Sequence, residues 1–125
     1  MVTAHKTQVD VVNRRTGEVL VRSARWCSSR ASRLRGLQYR RRLEPGEALI
    51  LVKPKDSIFN SSIHMLFVFF PIAAVWINNQ GRVTSAQLAR PWHPYYASSE
   101  PARYVLEAAP DLLERLKVGD EVDFV

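Results

Sequence analysis

The chain has 125 residues, of which 46% are hydrophobic and 24% charged, with a net charge of +6 and one cysteine. This length predicts a single domain, residues 1–125, with a core of its own. The lone Cys27 excludes an internal disulfide framework, and Met1 to Asp10 lacks the apolar stretch of a secretory signal. We therefore expect a cytoplasmic chain with no signal peptide.

The charge is unevenly distributed along the sequence. Residues 1–55 contain 13 Lys or Arg and 4 Asp or Glu, whereas residues 56–125 contain 5 and 8. A basic half can attract nucleic acid, an anionic membrane surface or an acidic protein. A solvated arginine-rich surface without a partner explains the same excess, and both interpretations stay open.

The first half of the chain predicts a hairpin, a helix and a strand. Residues 7–26 alternate as a β-hairpin whose turn is Arg14 to Gly17. Residues 28–42 predict a short helix, because Ala31, Leu34 and Leu37 recur at helical spacing. Residues 48–52 predict a buried strand, followed by a polar loop over residues 53–62.

The apolar run of residues 65–77 dominates the middle of the chain. It is too short to cross a bilayer as a helix, and Pro71 interrupts a helix there. We therefore predict two core strands, residues 63–70 and 72–77, and no transmembrane segment. The turn at residues 78–81 predicts a hairpin into the next strand.

The last third predicts an aromatic loop over residues 90–101, a strand over 103–108, a helix over 111–117 and a strand over 121–125. The predicted fold class is a β-rich α+β domain. We expect an antiparallel sheet rolled toward a small barrel, with two short helices.

Catalytic and metal-binding motifs are missing from the sequence. His5, Cys27, His64 and His93 are not at metal-ligand spacing, and no phosphate-binding glycine loop occurs. Cys27 could act as a nucleophile only if a histidine approached it in the fold. We therefore predict no catalytic residue, no metal and no cofactor, which favours a function other than catalysis.

Two groups of residues are candidates for binding. The first is the aromatic loop with its neighbours, where rings with polar tips resemble the lining of recognition pockets; its ligand-binding candidates are His64, Arg90, Trp92, His93, Tyr95 and Arg35. The second is an arginine set suited to phosphate or carboxylate; its anion-binding candidates are Arg30, Arg33, Arg40, Arg41 and Arg42. A loop packed on its own sheet and a solvated arginine face are the simpler alternatives.

The order and spacing of several short motifs resemble the domain-of-unknown-function family numbered 192, a set of small prokaryotic proteins. These motifs are Arg33-x-Arg35-Gly36-Leu37, Ile63-His64-Met65, Phe70-Pro71-Ile72, Gly81-Arg82-Val83, Pro91-Trp92, Tyr104-Val105-Leu106-Glu107 and Val118-Gly119-Asp120-x-Val122. The resemblance implies a compact β-rich domain with no established activity or cofactor. It also implies that export is an alternative to a cytoplasmic location.

The chain departs from that family pattern at two positions. Similar proteins carry a cation just before the Phe-Pro pair and an aspartate two residues after the proline, where this chain has Phe69 and Ala73. Both members of that polar pair are therefore missing from this chain. Replacing a buried ion pair by apolar residues can leave a fold intact.

These observations predict a small non-enzymatic domain that binds a protein or a small ligand through residues 90–101 and the neighbouring sheet edge. The alternative is a basic module that binds nucleic acid or an anionic surface through Arg30 to Arg42. A hydrolase that uses Cys27 or His64 ranks last.

Overall fold

The computed structural model describes residues 7–28, Leu37 and residues 40–125. Seven strands form one sheet: β1 (Gln8–Asn13), β2 (Val19–Cys27), β3 (Leu49–Ser57), β4 (Ile72–Ile77), β5 (Val83–Ala89), β6 (Ala102–Ala108) and β7 (Val122–Phe124). Their order in the sheet is β5-β4-β6-β3-β2-β1-β7. One 3₁₀ helix, Pro110–Glu114, precedes β7.

The sheet curls, so that its two outer strands approach each other at one corner. The Val122 N–H donates to the Gly81 carbonyl at 2.8 Å, and Arg82 and Glu121 form an isolated bridge. Arg14 fixes this corner through ion pairs with Glu121 and Asp123 at 3.1 and 3.0 Å. The β-rich sheet rolled toward a barrel is therefore confirmed.

The prediction of an α+β class with two short helices is wrong. The structure has no helix of seven or more residues in the ranges that it describes. The segment predicted as a helix at 111–117 is the five-residue 3₁₀ helix, which starts at Pro110 and has no side-chain cap. Most of the other predicted helix, 28–42, lies outside the described residues.

The sheet is mixed and not wholly antiparallel. β2 pairs with β3 in parallel, with Arg25 opposite Leu49 and Cys27 opposite Leu51. Every other strand pairing within the described residues is antiparallel. The connection of residues 28–48 makes this possible, because parallel neighbours need a long crossover.

Two segments differ from their predicted strands. β3 continues to Ser57 across the predicted polar loop, with a register irregularity after Val52 that accommodates Pro54. Residues 63–70 form no strand and make only the isolated bridge between Ile63 and Tyr96. The predicted hairpin of β1 and β2, strands β4, β6 and β7, and the loop of residues 90–101 are confirmed.

Alternate residues of the strands form two separate hydrophobic clusters. The first lies on the face that Leu112 and Leu116 cover, and it includes Ile50, Val75 and Leu106. The second lies on the other face of the sheet, which we call the loop face, under the segment of residues 58–71. β4 is buried along its whole length because both of its faces are covered.

Candidate functional site

Two tight turns on the loop face place large aromatic residues in an unfavourable backbone conformation. In the turn of residues 65–68, the Val68 N–H donates to the Met65 carbonyl at 3.1 Å, and Phe67 has a φ of 63°. In the turn of residues 90–93, the His93 N–H donates to the Arg90 carbonyl at 3.3 Å, and Trp92 has a φ of 65°. Positive φ at the third residue only is typical of a type II turn, where glycine is preferred.

Backbone hydrogen bonds join these two turns. The Trp92 N–H donates to the Met65 carbonyl, and the Met65 N–H donates to the His93 carbonyl, each at 2.8 Å. Ile63 and Tyr96 exchange two further backbone bonds of 2.9 and 2.8 Å. The two loops therefore form one unit, although about 25 residues of sequence separate them.

The unit is anchored to the sheet from below. Met65 and Val68 are buried in the loop-face cluster, at 1% and 4% exposure. The indole N–H of the fully buried Trp76 donates to the Ser61 carbonyl at 2.8 Å. The segment that leads into the first turn is thus held by a hydrogen bond from the core.

Above the anchored backbone, three side chains form an exposed cluster that we call the aromatic platform: Phe67, Phe69 and Trp92. Their exposures are 39%, 48% and 48%. The Trp92 ring centroid lies 5.0 Å from that of Phe67 and 5.7 Å from that of Phe69. These distances and the tilted planes are typical of favourable aromatic pairs.

The two loops that carry the platform also carry exposed polar residues. Arg90, His64, His93 and Tyr95 are exposed. The ring of His93 packs on Tyr96 at 4.4 Å, and the Tyr96 hydroxyl accepts a hydrogen bond from the Arg90 N–H at 2.9 Å. Of the predicted ligand-binding residues, the structure thus brings His64, Arg90, Trp92, His93 and Tyr95 onto two joined loops. Arg35 lies outside the described residues.

Phe67 and Phe69 do not stand out as site residues in the sequence, because they lie in an apolar run that predicts a core strand. Residues 66 and 67 are both exposed, which breaks the alternation that a half-buried strand requires. Ala73, the other position that departs from the family pattern, is buried in the first cluster. Phe69 has instead become part of the platform.

The predicted anion-binding arginines are only partly described. Arg30 and Arg33 lie outside the described residues, and Arg41 is exposed. The Arg40 guanidinium binds both oxygens of Glu47, at 2.8 and 2.6 Å, and this hydrogen bonding lowers the pKa of the Glu47 carboxyl. Arg42 pairs with Glu44 at 3.3 Å. Arg40 and Arg42 therefore already have acidic partners within the chain, and an anion-binding role for the set stays a prediction.

The environment of Cys27 disfavours a nucleophilic role. It is fully buried, and burial raises the pKa of its thiol, which disfavours the reactive thiolate. Its Sγ contacts the Arg25 carbonyl oxygen at 3.7 Å. Within the described residues, no three His, Cys, Asp or Glu side chains are grouped so that they could hold a metal ion.

The loop face also contains one buried carboxyl group, Glu107, which is 6% exposed. It lies on β6 between Leu49 of β3 and Ala74 of β4. Burial raises the pKa of Glu107 to about 7, and the charge of Lys53 opposes part of that rise. Sequence reasoning does not find this group, because Glu107 resembles an ordinary residue at a strand edge.

Comparison with known proteins identifies the family of this chain. A family model for DUF192, described as "Uncharacterized ACR", matches residues 11–124. The chain belongs to the DUF192 family. The expected family resemblance is therefore confirmed over nearly all of the sequence.

Two curated relatives match most of this chain. A UPF0127 protein of Pyrococcus furiosus is 28% identical over 116 residues, covering 91% of this chain and 97% of the relative. A UPF0127 protein of Thermococcus sibiricus is 28% identical over 118 residues, covering 91% of this chain and 73% of the relative. Neither name states an activity or a partner.

Two solved structures share the fold. A protein of Sinorhizobium meliloti 1021, described as a candidate transcription regulator, has a TM-score of 0.79 at 21% identity, covering 99% of this chain and 97% of its own. A protein of unknown function from Novosphingobium aromaticivorans DSM 12444 has a TM-score of 0.77 at 22% identity, covering 93% and 83%. At these identities the likeness shows the fold alone.

In the ranges that the structure describes, no helix is long and apolar enough to span a membrane.

Proposed function

We propose that this DUF192 protein is a protein-binding module and that the aromatic platform is its contact surface. The observation that carries the proposal is the positive φ of both Phe67 and Trp92, whose rings touch each other yet stay exposed. A bulky residue in this conformation costs about 1–3 kcal/mol, and such strain clusters at binding sites. Glycine or asparagine at these two positions would avoid that strain, so a turn with no binding role has no need of an aromatic residue there.

The composition of the platform supports a protein partner. Aromatic side chains, Trp and Tyr above all, are enriched among the residues that dominate binding energy at protein interfaces. Trp92 and Tyr95 are about half exposed, so a partner can still cover much of each ring. The backbone that carries them is anchored by Met65 and Trp76, which limits the ordering cost of association.

The experiment is a selection from a phage-displayed library of random peptides, performed in parallel on the wild type and on Trp92→Asn. Asparagine tolerates positive φ, so the turn is kept while the indole is removed. Val118→Asn is the matched control, because Val118 is 62% exposed and precedes Gly119, whose N–H donates to the Val83 carbonyl at the start of β5. The other end of β5 leads into the platform.

The proposal predicts that the wild type and Val118→Asn enrich the same peptides and that Trp92→Asn does not retain them. A truncated interface tryptophan commonly costs about 2 kcal/mol, which is roughly a thirtyfold weaker Kd. The proposal is wrong if the wild type enriches nothing beyond Trp92→Asn, or if both proteins retain the same peptides equally.

A further inference from the structure

The two platform loops lie in a long stretch of sequence that has no negative charge. No Asp or Glu occurs between Asp56 and Glu100, whereas Arg82, Arg90, His64 and His93 fall within that range. The surface around the platform is therefore neutral or positive on the part contributed by these loops. Such a surface attracts a partner of opposite charge and disfavours a basic one.

The two exposed histidines of the platform loops, His64 and His93, each use Nδ1 as a hydrogen-bond acceptor. His64 Nδ1 accepts from the Leu66 N–H at 3.3 Å, and His93 Nδ1 accepts from the Tyr95 N–H at 3.4 Å. With Nδ1 engaged as an acceptor, a neutral ring carries its proton on Nε2. Together with the guanidinium of Arg90, which can only donate, these two histidines match acceptors such as carboxylates.

Arg90 has no acidic partner in the part of the chain that the structure describes. Arg14 and Arg40, by contrast, each bind a carboxylate at 3.1 Å or less. Arg90 is the first residue of the turn that holds Trp92 at its third position, so their side chains leave the same four-residue turn. A cation and an aromatic anchor are thus presented together.

We propose that the platform recognises an acidic peptide segment, in which an apolar side chain packs on Trp92 and neighbouring carboxylates pair with Arg90 and the two histidines. This inference rests on the proposed function of the platform. It names a peptide and not a nucleic acid, because a strand of nucleic acid needs a track of cations for successive phosphates. The joined loops offer one permanent cation, and Trp92 is already tilted against two phenylalanine rings.

The test begins with sequencing of the peptides that the wild type enriches from the same random library. The strongest peptide is then synthesised in two forms, as selected and with every Asp and Glu replaced by Asn and Gln. Both forms are titrated against the wild type, Arg90→Gln and the matched control Arg82→Gln at low and high salt. Arg82 is an exposed arginine at the start of β5, away from the platform end of that strand.

The proposal predicts an excess of Asp and Glu beside an apolar residue in the enriched peptides. The neutral form should bind the wild type and Arg82→Gln about tenfold more weakly at low salt, as expected for a charged hydrogen bond. Arg90→Gln should bind the acidic form about tenfold more weakly than the wild type does. Its affinities for the two forms should also differ less. For the wild type, the difference in affinity between the two forms should shrink as the salt concentration is raised.

Two results would overturn this inference while leaving the protein-binding function intact: enriched peptides without an acidic excess, or equal affinity of the wild type for both forms. A failure of the wild type to enrich any peptide beyond Trp92→Asn would instead overturn the proposed function itself. Trp92-dependent binding of an oligothymidylate more tightly than the selected peptide would overturn both in favour of a nucleic acid.

Discussion

Phe67 and Trp92 come from two turns that are distant in sequence, share a positive φ near 64°, and meet with their ring centroids 5.0 Å apart. The Trp92 N–H donates to the Met65 carbonyl, which also accepts from Val68 within the first turn. Each strained turn is thus fixed by the other. The aromatic pair is a product of loop pairing and not of core packing, since both rings remain exposed.

Trp92→Asn should change the free energy of unfolding by less than about 1 kcal/mol. Relief of the positive-φ strain offsets the loss of the ring contacts with Phe67 and Phe69. Chemical denaturation of the two proteins measures this difference. A loss of several kcal/mol would mean that the indole stabilises the fold and that the platform is structural.

Trp76→Phe should destabilise the protein strongly, by about 2–4 kcal/mol. Trp76 is fully buried, and its indole N–H donates to the Ser61 carbonyl in the core. The smaller ring leaves a cavity and an unsatisfied carbonyl. The same denaturation experiment tests it, and a cost no larger than that of Trp92→Asn would contradict the assigned anchoring role.

Gly81→Ala should cost more stability than Gly119→Ala, although both glycines have positive φ, 87° and 94°. A Cβ at position 81 would lie 2.5 Å from the Val122 carbonyl oxygen and from an Arg14 nitrogen, whereas one at position 119 meets nothing within 4 Å. The backbone oxygen cannot move without opening the corner where the sheet edges meet. Comparison of the two thermal midpoints measures the difference, and equal midpoints would contradict this account of the corner.

Glu107→Gln should change how stability depends on pH. The pKa of Glu107 is raised to about 7, so between about pH 4.5 and 7 the folded protein keeps a proton that the unfolded chain releases. The contribution of this group to stability is therefore complete below about pH 4.5 and declines as the pH rises to about 7.

The substitution removes this decline, because glutamine does not titrate. Relative to the wild type, Glu107→Gln should be more stable by up to about 3 kcal/mol at pH 8 and nearly equal at pH 4. Urea denaturation of both proteins across this range gives the comparison. Parallel stability curves would show that Glu107 is not desolvated in the folded state.

The sequence was sufficient for the elements whose pattern is local. The β1–β2 hairpin follows from alternation and from a turn with Gly17 at positive φ. Strand β4 follows from an apolar run that Pro71 interrupts, and β5 follows it across the turn at Gly81. The parallel pairing of β2 with β3 depends on a crossover, which the pattern of neither strand records. The spacing of DLLERLK predicts a helix to residue 117, whereas the 3₁₀ helix runs only from Pro110 to Glu114.

The candidate site was only half predictable for a physical reason. Trp92, His93 and Tyr95 stand out in a proline-rich loop, and His64 stands out beside an apolar run. Phe67 and Phe69 do not, because an apolar run has the same composition whether its rings face the core or solvent. The direction in which these two rings point depends on the backbone pairing of Met65 with Trp92 and His93, which are distant in sequence.

The most direct test of the aromatic platform is the Kd of a peptide selected by the wild type, measured for the wild type, Trp92→Asn and Val118→Asn by calorimetric titration. We predict that Trp92→Asn binds at least about thirtyfold more weakly at unchanged stability, while Val118→Asn binds like the wild type. Equal affinity of all three proteins would contradict the platform as the binding surface.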